Sequence, residues 1–112
     1  MGILSGNPFP DASNEFFDRL EGAASLALSR RLVLLRPFAD LTKADVIGLG
    51  AHYPLELTFS CIDPVRVSGG ESIHCGVCNK CEERRRGFQD ANRPDPTPYA
   101  APRVAREPLC IS

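Results

Sequence analysis

Four of the five cysteines in this 112-residue chain have the spacing of a metal site. Cys75, Cys78 and Cys81 fall within seven residues, and thirteen residues separate them from Cys61. Thiolates two residues apart grip one ion from a tight turn, and four of them complete the tetrahedral coordination that Zn²⁺ prefers. The pattern predicts a zinc site formed by these four cysteines. A site with no open coordination position is structural rather than catalytic.

Two other uses of the same cysteines compete with a zinc site. Disulfide pairs or buried free thiols are disfavoured by the close spacing in a chain of otherwise ordinary composition. An iron–sulfur cluster also uses cysteines two residues apart, but a ferredoxin adds a fourth soon after, whereas Glu82, Glu83 and Arg84 follow here. His74 adjoins the cluster and could replace a cysteine as a ligand, but we interpret it as a neighbour of the site, because four cysteines already suffice. Cys110 is then a spare thiol, which a reducing compartment tolerates.

Composition excludes several classes of protein. A chain of 112 residues is long enough for one domain with a modest core. Its formal net charge of −1 provides no global field that would attract nucleic acid or an anionic membrane. No apolar run approaches the roughly 18 residues of a membrane span, and the first ten residues lack the basic and apolar regions of a signal peptide. These features predict a cytoplasmic protein without direct nucleic-acid or membrane contact.

Apolar periodicity predicts a helix followed by a strand. Apolar residues recur at helical spacing from Asn14 to about Ser29, and either Asp11 or Ser13 is suited to cap this helix. Leu32–Leu35 is a short apolar run without alternation, which is typical of a strand covered on both faces of a parallel sheet. The order helix, strand, helix predicts an α/β fold with helical crossovers.

Two shorter elements precede the cysteine cluster. Thr42 and Asp45 resemble a capping box, which predicts a short helix that ends at the glycines of positions 48 and 50. Leu55–Phe59 alternates apolar and polar residues, so we expect a short strand or an extended arm that delivers Cys61.

Two stretches near the cysteines look like ligand sites. Ser68–Ser72 is glycine-rich, but no strand is predicted before it, so a flexible loop is favoured over a phosphate-binding one. Residues 82–92 predict a helix, and its Arg84–Arg86 run is interpreted as a solvated face rather than a nucleic-acid patch. Together with Lys80, these arginines are placed to offset the negative charge of a metal bound by four thiolates.

Five of the ten prolines fall in the last nineteen residues. Proline lacks an amide donor and restricts the residue before it, so this segment cannot form a long helix. We therefore divide the chain into a domain of residues 1–92 and an extended, proline-rich tail of residues 93–112.

Three motifs resemble a known family. Thr58–Cys61 reads TFSC, His74–Phe88 reads HCGVCNKCEERRRGF, and Leu41–Asp45 reads LTKAD. Together they resemble the C-terminal half of the 7-cyano-7-deazaguanine synthases, the QueC or ExsB family, over about residues 7–91. The resemblance implies the C-terminal portion of a Rossmann-like domain of the adenine nucleotide alpha hydrolase-like type. It also implies a homodimer.

The sequence departs from the family pattern at two places. Ile62 stands where the family usually has tyrosine after the first cysteine. The family's Ser-Gly-Gly-x-Asp-Ser loop, which holds the pyrophosphate of ATP, does not occur in this chain. We therefore expect a fragment or a truncated gene product that is inactive alone.

The resemblance implies an ATP-dependent ligase of queuosine biosynthesis. Such an enzyme converts 7-carboxy-7-deazaguanine and ammonia to the nitrile by adenylation, amination and dehydration, and the metal shapes a wall of the substrate pocket. Lys43 occupies the family's lysine position at a helix start, where it would contact a phosphate or carboxylate, or else be a surface lysine. Asp11 would contact substrate or cap a helix. The alternative function is a stand-alone structural zinc module that binds a partner.

Overall fold

A computed structural model describes residues 1–101, which form two compact units, one of Met1–Val46 and one that begins at Ile47. Within residues 1–101 no helix has the length and apolar character needed to cross a bilayer. The regular elements are the helices α1 (Asn14–Leu28), α2 (Lys43–Leu49) and α3 (Asn79–Asp90), the strands β1 (Val65–Arg66) and β2 (Ser72–Ile73), and two 3-10 turns (Pro10–Ala12 and Leu55–Leu57).

Helix α1 is the main element of the first unit and confirms the predicted helix. Its cap is Ser13, whose Oγ accepts the amide of Phe16 at 3.1 Å. The capping role considered for Asp11 is therefore wrong, because Asp11 lies exposed in the preceding 3-10 turn. Phe17 is buried on the inner face of α1 and is 2% exposed. The helix ends where Ser29 turns into the left-handed region with φ of 52°.

The predicted strand at Leu32–Leu35 is wrong for the described residues. The amide of Leu32 donates to Ser25 Oγ at 2.9 Å, and the N-terminal amine donates to the carbonyl of Leu35 at 2.8 Å. Val33 and Leu35 are 52% and 72% exposed. A strand is created by the hydrogen bonds of its neighbours, and no neighbouring strand in residues 1–101 pairs with this run.

The capping box of α2 is confirmed. Asp45 Oδ2 accepts the amide of Thr42 at 2.9 Å, and Thr42 Oγ1 accepts the amide of Asp45 at 3.2 Å. Hydrogen bonds from Thr42 to the carboxylate, first from its amide and then from its side chain, lower the pKa of the Asp45 carboxyl below its ordinary value. Aspartate therefore replaces the usual glutamate in this motif without loss of either bond.

The arm before Cys61 begins as a helical turn rather than as a strand. Leu55–Leu57 forms a 3-10 turn, and Thr58 adopts extended backbone angles, φ of −82° and ψ of 147°. The predicted strand is therefore wrong, because the carbonyl of Leu55 accepts the amide of Thr58 at 3.1 Å within the turn. Only the last residues before Cys61 form an extended arm.

The glycine-rich Ser68–Ser72 stretch forms the turn of a hairpin and ends at the first residue of β2. Strands β1 and β2 are antiparallel, with Val65 opposite Ile73. The amide of Val67 donates to the carbonyl of Glu71 at 3.0 Å, so the stretch is a loop closed by a hydrogen bond, as the sequence favoured over a phosphate-binding site. A strand does precede it, contrary to prediction, but a strand also follows it, so the helix that a phosphate-binding loop requires is not there.

The start of the proline-rich segment runs beside β2 and the first cysteine of the cluster. The amide of Ala100 donates to the carbonyl of His74 at 2.8 Å, and that of Ala101 to Cys75 at 3.1 Å. Residues 93–101 contain no helix, as their prolines predict. Residues 102–112, with Cys110, lie outside the described residues, so the extended tail stays a prediction.

Candidate metal centre

Helix α3 and two separate loop segments carry the four cysteines of the centre. Cys61 follows the extended arm, and Cys75 comes two residues after the end of β2. Cys78 is the N-cap of α3, where its side chain accepts the amide of Cys81. Cys81 lies in the first turn of that helix and is fully buried, with 0% exposure. The helix therefore fixes two of the four thiols, and loops present the other two.

The four sulfurs lie at the distances that one bound ion requires. All four Sγ atoms are within 4.8 Å of one another, and the Cys61–Cys78 and Cys75–Cys81 pairs are each 3.9 Å apart. A tetrahedron with metal–sulfur bonds of about 2.3 Å has edges of about 3.8 Å. A disulfide would need about 2.05 Å, and the four cysteines are free thiols. The site therefore fits a single ion rather than disulfides or a cluster whose thiolates bind separate irons.

Backbone amides point at the sulfurs. The amides of Cys75, Cys78 and Cys81 donate to the sulfurs of Cys61, Cys75 and Cys78 respectively, each at 3.3 Å. The amide of Gly76 donates to Cys81 Sγ at 3.4 Å. Such bonds favour the charged form of an acceptor, so the loop is built for thiolates.

Two of the thiols differ in acidity. Burial raises the pKa of Cys78, but amide donors from Ile62 and Cys81 outweigh burial and lower it to about 6. Burial raises the pKa of Cys81 well above its ordinary value. A divalent cation would supply the charge that holds all four sulfurs as thiolates.

Gly76 is required by the geometry of the loop. Its φ of +83° lies in the region that glycine adopts readily, and an added Cβ would collide with the carbonyl oxygen of Ala101. Arg85 Nη1 donates to the Gly76 carbonyl at 2.6 Å, and its guanidinium lies 4.0 Å from the Tyr99 ring centroid. The turn between Cys75 and Cys78 is thus closely covered by α3 and the segment at Tyr99.

His74 lies beside the cluster and is not among the four residues whose ligand atoms converge. Its Nε2 accepts the amide of Ser60 at 3.2 Å, and its ring lies 4.3 Å from that of Phe59. Because Nε2 accepts, the neutral imidazole carries its proton on Nδ1. Burial, and then the charge of Arg84, lower the His74 pKa. The histidine thereby fixes the backbone one residue before Cys61.

The arginine run is not the solvated face that the sequence predicted. Arg84 is 6% exposed, and Arg85 is half-buried against Gly76 and Tyr99, so only Arg86 is exposed. Lys80 forms a surface ion pair with Glu83 at 3.1 Å. Helical spacing provides the missing signal, because Cys81, Arg84 and Phe88 share one face of α3.

The comparisons with known proteins agree with this arrangement. A sequence model of the family described as queuosine biosynthesis protein QueC matches residues 3–92, which include all four cysteines. The chain belongs to the QueC family. The match confirms the resemblance seen in the motifs and extends it slightly at both ends.

Similar QueC relatives are considerably longer than this chain. The 7-cyano-7-deazaguanine synthase of Methanothrix thermoacetophila is 44% identical over 96 residues, which are 81% of this chain and 40% of that protein. The synthase of Methanopyrus kandleri is 38% identical over 93 residues, again 81% of this chain and 40% of that protein. Synthase 1 of Sphingopyxis alaskensis is 35% identical over 107 residues, 89% and 46% of the two chains. The chain spans less than half the length of these relatives.

The two substrate-contact candidates of this QueC chain lie on separate elements of the first unit. Asp11 lies in the Pro10–Ala12 turn, and Lys43 is the first residue of α2. In the second unit, an open groove of about 600 Å³ runs beside the arm and hairpin. Its lining includes Phe59, whose ring contacts His74, together with Ile73 and Glu71.

Proposed function

We propose that this chain is the zinc-binding, C-terminal part of an ATP-dependent 7-cyano-7-deazaguanine synthase. The observation that carries the proposal is the QueC match over residues 3–92 together with four converging thiols inside it. The substrate is the deazapurine 7-carboxy-7-deazaguanine, with ammonia and ATP as co-substrates, in the cytoplasm.

The ion of the site is Zn²⁺ in a structural role. Four thiolates match its preferred coordination, and the two 3.9 Å separations suit its bond length. The ion would contribute folding free energy by joining the Cys61 arm to α3, because the metal-binding energy of such sites is coupled to folding. With four protein ligands it offers no position to substrate. Its contribution to the reaction is the rigidity of the wall beside the groove.

In the reaction, ATP activates the carboxylate of the substrate as an acyl adenylate. Ammonia attacks the acyl carbon and displaces AMP, which leaves an amide. A second ATP adenylates the amide oxygen with release of pyrophosphate, and loss of AMP and of the protons on nitrogen gives the nitrile. The Ser-Gly-Gly-x-Asp-Ser loop for ATP is not among the 112 residues. We therefore propose that turnover needs the portion that the longer relatives have in addition.

In the complete enzyme, Leu32–Leu35 would be an inner strand of a Rossmann-like sheet. Its apolar side chains at positions 33 and 35 are more than half exposed in this chain, at 52% and 72%. A parallel strand reads as a continuous apolar run because both of its faces are covered. The additional portion of the relatives would supply the neighbouring strands and possess the ATP loop.

Lys43 and Asp11 are proposed to contact the substrate or a phosphate. Lys43 lies next to the capping box of α2, where Thr42 and Asp45 hold the backbone in place. In the completed enzyme, Lys43→Met should raise the KM for the deazapurine or for ATP without changing metal content. An unchanged KM for both would remove Lys43 from the site.

Complementation tests the synthase function. We would fuse the N-terminal portion of the Methanothrix thermoacetophila relative ahead of residue 3 and measure ATP-dependent formation of the nitrile by mass spectrometry. We expect activity from the fusion and none from the 112-residue chain alone. A folded fusion that neither binds ATP nor forms product would contradict the proposal.

The second candidate is a stand-alone structural metal module that binds a partner. It is favoured by the second unit, which surrounds the four thiols with its own buried residues, such as His74 and Phe88. Under this function the chain would fold and bind metal, but the fusion would acquire no activity. The same experiment therefore separates the two functions.

A further inference from the structure

Arg84 connects three segments of the second unit through its buried guanidinium. Its Nη2 donates to the carbonyl of Leu55 at 2.8 Å and to Thr58 Oγ1 at 2.9 Å. Its Nε donates to Thr97 Oγ1 at 2.6 Å. The side chain itself belongs to α3. One residue therefore ties the helix to the arm and to the segment at Thr97.

The arm that Arg84 contacts leads to Cys61, the metal-site cysteine that is farthest from the other three along the sequence. Nη1 of Arg84 reaches Ser60 Oγ at 3.5 Å, and Ser60 directly precedes Cys61. On α3, Arg84 follows Cys81 by three residues, so the two side chains lie on the same face of the helix. The guanidinium thus links the helix of one ligand to the arm of another.

The acceptors of Arg84 are all neutral oxygens, and the residue is only 6% exposed. A buried charge is costly unless hydrogen bonds and an opposite charge compensate it. A divalent ion with four thiolates carries a formal charge of about −2 by ligand counting, so the loaded centre supplies the opposite sign. The charge of Arg84 and that of the loaded centre therefore favour each other.

The same contacts exclude Arg84 as an anion-binding side chain. Four of its roughly five N–H donors are used within the chain, by Leu55, Thr58, Ser60 and Thr97. Its guanidinium also lies 5.6 Å from the Phe88 ring centroid. Lysine cannot replace the Arg84 guanidinium, because its single ammonium nitrogen does not reach acceptors in several directions at once.

We infer that Arg84 is a positioning residue that holds Cys61 within coordinating distance of Cys75, Cys78 and Cys81 before the ion binds. This inference rests on the metal site of the proposed function. It goes beyond that function because it names Arg84, which is not a metal ligand, as the residue that positions the Cys61 thiolate.

Cobalt substitution of the full chain tests the inference. Co²⁺ takes the place of Zn²⁺, and its thiolate charge-transfer absorption per bound ion reports how many cysteines coordinate. Arg84→Lys should lose about one quarter of this absorption, because three of four thiolates remain. Its Co²⁺ affinity should fall about 10- to 100-fold, as for other residues that orient ligands. Arg86→Lys, an exposed change on the same helix, is the matched control and should alter neither quantity.

A double-mutant comparison separates positioning from general stability. If Arg84 acts through Cys61, Arg84→Lys should cause no further loss of affinity in a Cys61→Ser background. Thr58→Val removes one acceptor of Arg84 with little change of shape, so it should lower the absorption in the same direction even if Arg84→Lys does not fold.

Three results would overturn the inference. The first is full absorption and affinity in Arg84→Lys, and the second is full absorption in Thr58→Val. The third is a loss of Co²⁺ affinity from Arg84→Lys that is as large in the Cys61→Ser background as in the parent chain. If the unchanged chain showed no absorption from four thiolates, the metal site of the proposed function would fail and the inference with it. Loss of synthase activity in a fusion would leave the cobalt result standing, so the two failures are distinguishable.

Discussion

The two units differ in the residues that they bury. The unit that begins at Ile47 buries Cys75, Cys81, His74 and Phe88 around the converging thiols. Among residues 1–46, Phe17 alone is buried. The second unit buries few large apolar side chains, so it needs another source of stability. A metal ion bound by the four cysteines is a common source in small domains.

The first unit depends instead on helix α1 and on a group of ion pairs. Arg36 donates to Asp18 at 2.8 Å and to Glu21 at 2.9 Å, and its guanidinium lies 5.6 Å from the Phe17 ring centroid. The hydrogen bond to Asp18 is the main reason that the pKa of Arg36 is raised. The Asp18 side chain is 68% exposed, so its pair with Arg36 contributes little and is screened by salt, whereas Arg36 and Glu21 are only 16% and 20% exposed.

The difference lies in what each unit buries and not in what it exposes. Both units leave large apolar side chains exposed, such as Leu35 at 72% in the first and Leu57 at 79% in the second, but the second also has buried residues around its cysteines. The longer QueC relatives contain additional residues that this chain does not match. We therefore expect the two units to respond in opposite ways to metal removal and to addition of the missing portion.

The largest effect should come from Cys78→Ser. Loss of this ligand should abolish tight metal binding, and about 10 kcal/mol or more of coupled binding energy is at stake in such sites. Hydrogen exchange should show that α3 loses its amide protection while α1 keeps it. Cys110→Ser is the control and should leave both helices protected. Full protection of α3 in Cys78→Ser, or after chelation, would contradict the metal's structural role.

A smaller loss is expected from Gly76→Ala in the second unit. The positive φ of +83° and the collision with the Ala101 carbonyl should together destabilise the unit by about 3 kcal/mol. Denaturant unfolding of the metal-loaded chain measures this change. A variant as stable as the parent would show that the turn accommodates a side chain, against the geometry described.

Gly22→Ala should have the opposite sign. Gly22 lies within α1, and an added Cβ would meet nothing within 4 Å. Alanine should therefore stabilise the first unit by about 0.5–1 kcal/mol, because glycine loses more backbone freedom in a helix. Urea unfolding followed by amide exchange of α1 provides the measurement. A decrease in stability would mean that this face of α1 is covered.

The smallest effect in the isolated chain is expected for Leu35→Ser. At 72% exposure the side chain contributes little here, so the free energy of unfolding should change by less than about 0.5 kcal/mol. In the fusion that supplies the missing portion, the same change should cost about 2–5 kcal/mol, because a covered leucine is then lost. Equal effects in both proteins would refute an inner strand at Leu32–Leu35.

Local signals in the sequence were sufficient where a few neighbouring residues determine the structure. The cysteine spacing identified the four converging thiols, and Thr42 with Asp45 identified the start of α2. Helical periodicity placed α1 to within one residue of its end at Leu28. Each of these depends on contacts within a few positions along the chain or on the chemistry of one residue type.

Predictions from the sequence were wrong where contacts between residues far apart in the chain determine the structure. Leu32–Leu35 has the composition of a strand but no partner in residues 1–101. Arg84 was read by its charge, although its role comes from Leu55, Thr58 and Thr97, which lie 13 to 29 positions away. The charge of an arginine does not indicate whether it is buried. In the sequence, Arg84 cannot be distinguished from the exposed Arg86 of the same basic run.

X-ray absorption of the purified chain tests the central claim most directly. The four converging sulfurs predict one zinc per chain with four sulfur neighbours at about 2.3 Å. Cys110→Ser should give the same spectrum. A spectrum with nitrogen or oxygen neighbours, a stoichiometry well below one, or iron in place of zinc would contradict a structural four-cysteine zinc centre.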